Sequence, residues 1–177
     1  MSDIQIRNTI STDLARLSAL DHSLQTDYVW QLDLRRDPGQ VDAIFREVRL
    51  PRAVQVTHPR PASDLPDTWH LTPMQTALSG MEPVAYVRFT EKMVPHAVWI
   101  SDVVVGRDWR RQGLARKLVA SAEAWGVQQG LRRAILEMQS KNYPAIRMAL
   151  KLGYEFCGYN DIHYATRDVA LFFTRTI

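Results

Sequence analysis

Apolar and polar positions alternate through IQIRN at residues 4–8, the period-two pattern of a half-buried strand. Ser11 and Thr12 follow as helix-cap candidates, and Leu14, Leu17 and Leu20 then keep helical spacing. Two β-rich runs, DYVWQLDLRR and VDAIFREVRL, flank the turn DPGQ and predict a hairpin. From 51 to 66 the chain is rich in proline and has no period, which reads as a surface loop. A second hairpin is predicted where MQTAL and VAYVRFT flank SGMEP.

The second half of the chain has a different rhythm. AVWISDVVV at 97–105 is dominated by β-branched residues and is apolar on both faces, as a central strand should be. Leu114, Leu118, Ala122 and Trp125 then mark an amphipathic helix that Gly130 is placed to end. RRAILEMQS at 132–140 is the next strand. PAIRMALKL forms a second helix that stops at Gly153, and YEFCGY and ATRDVALFF close the chain as a pair of strands. A strand, a crossover helix and a strand of these lengths imply a parallel pair with a right-handed connection.

Composition narrows the class. The 177 residues suit one domain over 1–177, with 46% apolar and 23% charged residues and a net charge of +3. A basic excess that small does not call for nucleic acid. A single cysteine, Cys157, excludes an internal disulfide and a cysteine-based zinc site, and it reads as a small buried hydrophobe. The histidines are too scattered to suggest a metal site. The start MSDIQIRNT lacks the basic and apolar regions of a leader, and no run of 18 apolar residues offers a membrane span. The expectation is a cytoplasmic protein without a membrane or nucleic-acid partner.

The stretch GRDWRRQGLARKLV at 106–119 carries the chemistry. It joins the end of the central strand to the start of a helix, where the first helical N–H groups lack intrahelical acceptors and the helix dipole favours anions. Gly113 and Ala115 let the backbone approach an oxygen, and Arg110, Arg111 and Arg116 add charge. A phosphate cradle fits better than a diffuse basic patch. No Lys followed by Ser or Thr completes a nucleotide-triphosphate P-loop. The glycines lie too far apart for a dinucleotide fingerprint.

The pattern Arg/Gln-x-x-Gly-x-Gly/Ala, met by Arg110, Gly113 and Ala115, resembles that of the GNAT superfamily of acetyl-CoA-dependent N-acetyltransferases. A second segment, NYPAIRMALKLGYEFCGY, follows in the order that the resemblance expects. The closing part is also similar to streptothricin-type acetyltransferases. The resemblance implies an α/β (α+β) fold: a mixed, mostly antiparallel twisted sheet with a splayed central parallel pair, flanked by helices. It implies acetyl-CoA as cosubstrate, its pyrophosphate on the backbone of Arg111, Gln112, Gly113, Leu114, Ala115 and Arg116. The pantetheine would pair with Val103 and Val105, and Asn142 would contact the pantetheine or adenosine part. Asn142 equally suits a cap for the helix that begins at Pro144. Dimers are common in such a family, so the resemblance allows a homodimer.

Acetyl transfer to an amine needs a neutral amine, a donor for the developing oxyanion and a proton for the thiolate. The resemblance places the oxyanion donor at the backbone N–H of Val103 or Val104. It makes Asp102 the remaining carboxylate on that strand, with Ser101 where relatives often carry a glutamate. The tyrosine that many members use as general acid is replaced by Ala149, so Tyr154, Tyr159, Tyr164 or solvent must supply the proton. Tyr154 is taken as the candidate. Trp30, Asp161 and His163 are candidates for the acceptor pocket, although Trp30 also suits the core. The expected function is acetylation of a primary amine on a small molecule. A non-catalytic acyl-CoA-binding module and a protein N-acetyltransferase stand as alternatives.

Overall fold

The computed structural model describes residues 4–177, so the first residues of the stretch read for a leader, MSD, lie outside the described residues. The strands are β1 (Ile4–Asn8), β2 (Leu24–Asp37), β3 (Gln40–Val56), β4 (Met74–Ser79), β5 (Glu82–Thr90), β6 (Ala97–Val105), β7 (Arg133–Gln139), β8 (Glu155–Asn160) and β9 (Ala170–Thr176). A seven-stranded sheet runs in the order β1-β4-β5-β6-β7-β9-β8. Every neighbouring pair in it is antiparallel except β6 with β7. The expected mixed sheet with a parallel centre is therefore what the chain forms. The last strand, β9, inserts between β7 and β8.

The helices are α1 (Leu14–Ser18), α2 (Leu65–Thr68), α3 (Leu114–Gln128) and α4 (Tyr143–Lys151). α3 and α4 cover one face of the sheet, where Leu114, Leu118, Val119, Ala122 and Ile146 meet Val98, Ile100 and Leu136 in the main core. Gly126 allows α3 to lie close, since a Cβ there would come within 2.9 Å of Val98 Cγ1. α1 and α2 cover the other face through Leu14, Leu17 and Leu65 against Tyr86 and Val104.

Three sequence expectations shift. Ser11 and Thr12 lie inside a 3-10 turn that Ile10 precedes, and Asp13 accepts from the Ile10 N–H (3.0 Å) while pairing with Arg7. The 51–66 stretch is not all loop. β3 runs through Pro51 to Val56 and pairs with β2 in a separate two-stranded sheet, because the partner strand continues the ladder past that proline. Cys157 is exposed rather than buried, being on β8 at the sheet edge.

Two irregularities at the centre of the sheet open it for chemistry. The parallel ladder of β6 and β7 ends at Ile100 and Leu136, so the strands part toward their C-terminal ends. Between β5 and β6 the register shifts, with Phe89 opposite Ile100 and Arg88 opposite Asp102, so Ser101 is an extra residue. A strand turns alternate side chains to opposite faces, and one inserted residue inverts everything after it. Val98 and Ile100 face α3, whereas Asp102 and Val104 are turned to the α1/α2 face.

Candidate active site

The loop after β6 builds the first half of the site from backbone. Gly113 is left-handed (φ 83), a Cβ there would meet nothing within 4 Å, and the preceding Arg111 is also left-handed (φ 64). Left-handed residues among right-handed ones turn successive N–H groups toward a common centre, a geometry that binds anions. The first α-type bond of the helix runs from Lys117 N–H to Gly113 O (3.1 Å), so the amides of Leu114, Ala115 and Arg116 precede any intrahelical acceptor. Arg111, Gln112 and Arg116 are exposed around them.

Arg110 and Gln112 are differently employed. Arg110 Nε donates to Val105 O (3.0 Å) and its guanidinium reaches Asp21, tying the end of β6 to the segment after α1. Gln112 Nε2 donates to Asp108 O (2.9 Å). Both side chains hold the loop in shape. Past Ile100, β6 has a strand on one side only, so alternate amides and carbonyls of residues 101–105, Val103 and Val105 among them, border the splay. Asn142 caps α4, its Oδ1 accepting from Ala145 N–H (3.2 Å).

The second half lies on the opposite face and is built from side chains. A cleft of about 290 Å³ is lined by residues including Arg60, Tyr86, Arg88, Asp102, His163 and Tyr164. Two carboxylates meet at the point where the strands part: Asp102 on β6 and Glu137 on β7, with side chains 2% and 1% exposed. Arg60, from the segment after β3, bridges them. Its Nη1 donates to Asp102 Oδ1 (3.0 Å) and Ser101 O (3.2 Å), and its Nη2 pairs with Glu137 Oε1. Asp102 also accepts from Ser101 Oγ (2.9 Å) and lies 3.2 Å from His58 Nε2. Glu137 accepts from Trp99 Nε1 (2.7 Å) and lies 3.1 Å from His163 Nε2.

Buried charges persist when they are paired and hydrogen-bonded. Burial pushes the Asp102 carboxyl up, but the His58 hydrogen bond and the Arg60 charge outweigh it and hold Asp102 well below the usual carboxylate range. Burial likewise works against the Arg60 charge, and Asp102 and Glu137 more than restore it. Burial and the neighbouring Glu137 push the Tyr164 phenol far above its ordinary value, so it keeps its proton.

Of the residues read from the sequence, the structure brings Asp102, His163 and Tyr164 together in this cleft. Tyr154 is elsewhere: it sits in the main core under α3 and donates to Glu123 Oε1 (2.5 Å), with burial and Glu123 raising its pKa strongly. Trp30 packs against Phe45, Phe156 and Phe173, away from the cleft lining. Asp161 is exposed on the turn after β8. Arg60, Glu137 and His58 were not anticipated. Glu137 carried a signal, as the one carboxylate inside the apolar strand AILEM. Arg60 lay in an aperiodic stretch and carried none.

Comparison with known proteins identifies the family and the fold. The model of the acetyltransferase (GNAT) family matches residues 41–154, and the chain belongs to that family. A streptothricin acetyltransferase from Streptomyces lavendulae is 25% identical over 174 residues, covering 92% of this chain and 87% of the relative. Among solved structures, a nourseothricin acetyltransferase superposes with a TM-score of 0.80 at 20% identity, over 98% of both chains. A candidate streptothricin acetyltransferase from Bacillus anthracis str. Ames, in complex with acetyl coenzyme A, gives 0.76 at 17% identity over 99% of this chain and 100% of that one. Acetyltransferases of the family use acetyl-CoA, which is the cosubstrate here. No helix among the described residues is long and apolar enough to cross a membrane.

Proposed function

We propose that this chain, as one catalytic domain, transfers the acetyl group of acetyl-CoA to a primary amine on a small molecule, by direct attack of the amine on the thioester. The observation that carries the reading is the position of the cleft. Its carboxylate Asp102, with Glu137 beneath Arg60, stands where β6 and β7 part, while the anion-binding loop lies at the open end of the same splay. The residues present suit the cosubstrate: amides 111–116 for the pyrophosphate, and the β6 edge at Val103 and Val105 for the amides of the pantetheine arm. When bound, acetyl-CoA supplies the acyl group and a thiolate leaving group.

The side chains divide the remaining work. Asp102, ionised and fixed by three donors, anchors the approaching ammonium and orients it toward the splay. Held so far below the ordinary range, it is a weak proton acceptor, and the amine's proton leaves to solvent through the cleft. The β6 amide of Val103, on the splay side of the strand, polarises the carbonyl. Tyr164, which lines the cleft and keeps its proton, is a hydrogen-bond donor toward the departing thiolate, and the thiolate takes its proton from solvent.

The test is thiol release from acetyl-CoA with a panel of amines. Streptothricin belongs in the panel because of the relatives' activity, beside an aminoglycoside, spermidine, lysine and a peptide with a free N-terminus. Acceptor-dependent thiol with a small amine is expected. Tight acetyl-CoA binding with no acceptor-dependent thiol overturns the enzymatic reading, and turnover of the peptide alone overturns the small-molecule one.

A further inference from the structure

We infer that the guanidinium of Arg60 is a resident occupant of the acceptor's cation seat, which an incoming ammonium must displace. The inference rests on the acetyl-transfer reading for the identity of the acceptor, but the seat itself is described by geometry alone. Four groups converge on the Arg60 guanidinium: Asp102 Oδ1 at 3.0 Å, Ser101 O at 3.2 Å, Glu137 Oε1, and the Tyr164 ring with its centroid 5.7 Å from Cζ. Two carboxylates, a carbonyl freed by the end of the β6–β7 ladder and an aromatic face make a site for a cation. It stands at the mouth of the splay.

Energetics make the occupancy exclusive. Asp102 and Glu137 are almost wholly buried, and an unpaired buried carboxylate is strongly unfavourable. Some cation must always be present. A neutral acceptor leaves Arg60 in place, whereas a cationic one can take over its partners, so the seat selects acceptors that arrive as ammonium ions.

The segment is built for an exchange of side chains. Pro59 and Pro61 flank Arg60 and restrict the backbone on both sides, and Arg60 N–H is held by His58 Nδ1 (3.2 Å). The Arg60 side chain is 33% exposed and lies beside the open cleft, in contrast to the carboxylates beneath it. Release therefore takes rotation of a long side chain into adjoining space, with the backbone left in place.

A fixed brace and a displaceable occupant differ in their effect on kinetics. In Arg60→Ala, a displaceable occupant predicts an acceptor KM about tenfold lower with kcat within about twofold, as expected when a competitor for binding is removed. A brace predicts a raised KM and a fallen kcat, and that outcome overturns the inference. A second measurement needs no turnover: calorimetric titration of 1,4-diaminobutane into the wild-type protein, Arg60→Ala, and Arg60→Ala combined with Glu137→Gln. Binding to wild type, about tenfold tighter in Arg60→Ala and weakened by the added Glu137→Gln, is expected. Binding to Arg60→Ala but not to wild type shows that Arg60 cannot be displaced, and binding to neither shows that no seat exists. Either sinks the inference. If Arg60→Ala does not fold, Arg60→Lys keeps the charge and loses the fork, and its acceptor KM should lie several-fold below that of wild type with kcat within about twofold; a KM unchanged or raised overturns the inference. Diamine binding as expected with no acetyl transfer to any amine would retain the seat and refute the activity.

Discussion

The two halves of the site are made of different material. On the proposed cofactor side, the loop from Gly106 to Arg116 is contiguous in sequence and presents backbone N–H groups, whose direction follows from Gly113 and the start of α3. On the proposed acceptor side, His58, Arg60, Asp102, Glu137, His163 and Tyr164 come from four separate segments and meet through side chains. The first half is local chemistry and is legible as a motif. The second exists only after the sheet has formed. A backbone cradle accepts one invariant ligand, whereas a side-chain cleft can be altered residue by residue, so the acceptor side is where related chains can differ in substrate.

Asp102→Asn offers the sharpest break between the halves. It should reduce kcat/KM by about 100-fold, the loss expected when one partner of a buried, hydrogen-bonded charge pair with the ammonium is removed. Acetyl-CoA affinity should stay within about twofold, as measured by calorimetry. An equal loss in both would mean that the halves are not separable.

Gly113→Val is the reciprocal change. It forces a β-branched residue into a left-handed conformation, a strain of about 1–3 kcal/mol, and projects its side chain into the open cradle. Acetyl-CoA should bind about tenfold or more weakly, while thermal stability falls only by that strain and the diamine affinity of the acceptor cleft is unchanged. Retained acetyl-CoA affinity in the folded variant would mean that the cradle lies elsewhere.

The acid limb of stability should distinguish the halves by pH. The folded pKa of Asp102 is depressed, so its contribution is complete above the ordinary carboxylate value of 3.8 and is lost as pH falls through that value toward the lower folded one. Melting curves between pH 7 and pH 3 should show wild type losing more stability than Asp102→Asn, with the gap between them narrowing but still open at pH 3. Parallel curves would show that the Asp102 pairs contribute nothing.

The smallest effect is expected at Asn142→Ala. Loss of the cap on α4 should cost about 1 kcal/mol of stability and leave acetyl-CoA binding nearly unchanged. A several-fold loss of acetyl-CoA affinity would show that Asn142 serves the cofactor as well as the helix.

Legibility followed the same division. The strand at 97–105, the helix that starts at Leu114, the strand at 133–139 and the second helix were each readable from periodicity and capping glycines, since each answers to local rules. Asp102, the one carboxylate of AVWISDVVV, was singled out by what the family resemblance implies for that strand. Ser101 did not reveal its part, because the bulge it forms depends on the register of β5 opposite it. Tyr154 was the natural substitute for a missing tyrosine by proximity in sequence, yet α3 offers it Glu123 on the far side of the sheet. The continuation of β3 through Pro51 was hidden because its partner, β2, lies far enough upstream that no local pattern announces the pairing.

What the sequence determined by itself was the parallel strand pair, the helix between them and the strand-to-helix junction proposed as the anion cradle, because backbone direction at such a junction depends on residues close together. What only the tertiary structure decided was which charges meet. The bulge at Ser101 turns Asp102 to the α1/α2 face, the end of the β6–β7 ladder opens the gap beside it, and the segment after β3 delivers Arg60 across that gap to Glu137. Each of those steps depends on partners distant in the chain, and long-range pairing leaves no periodic trace along it.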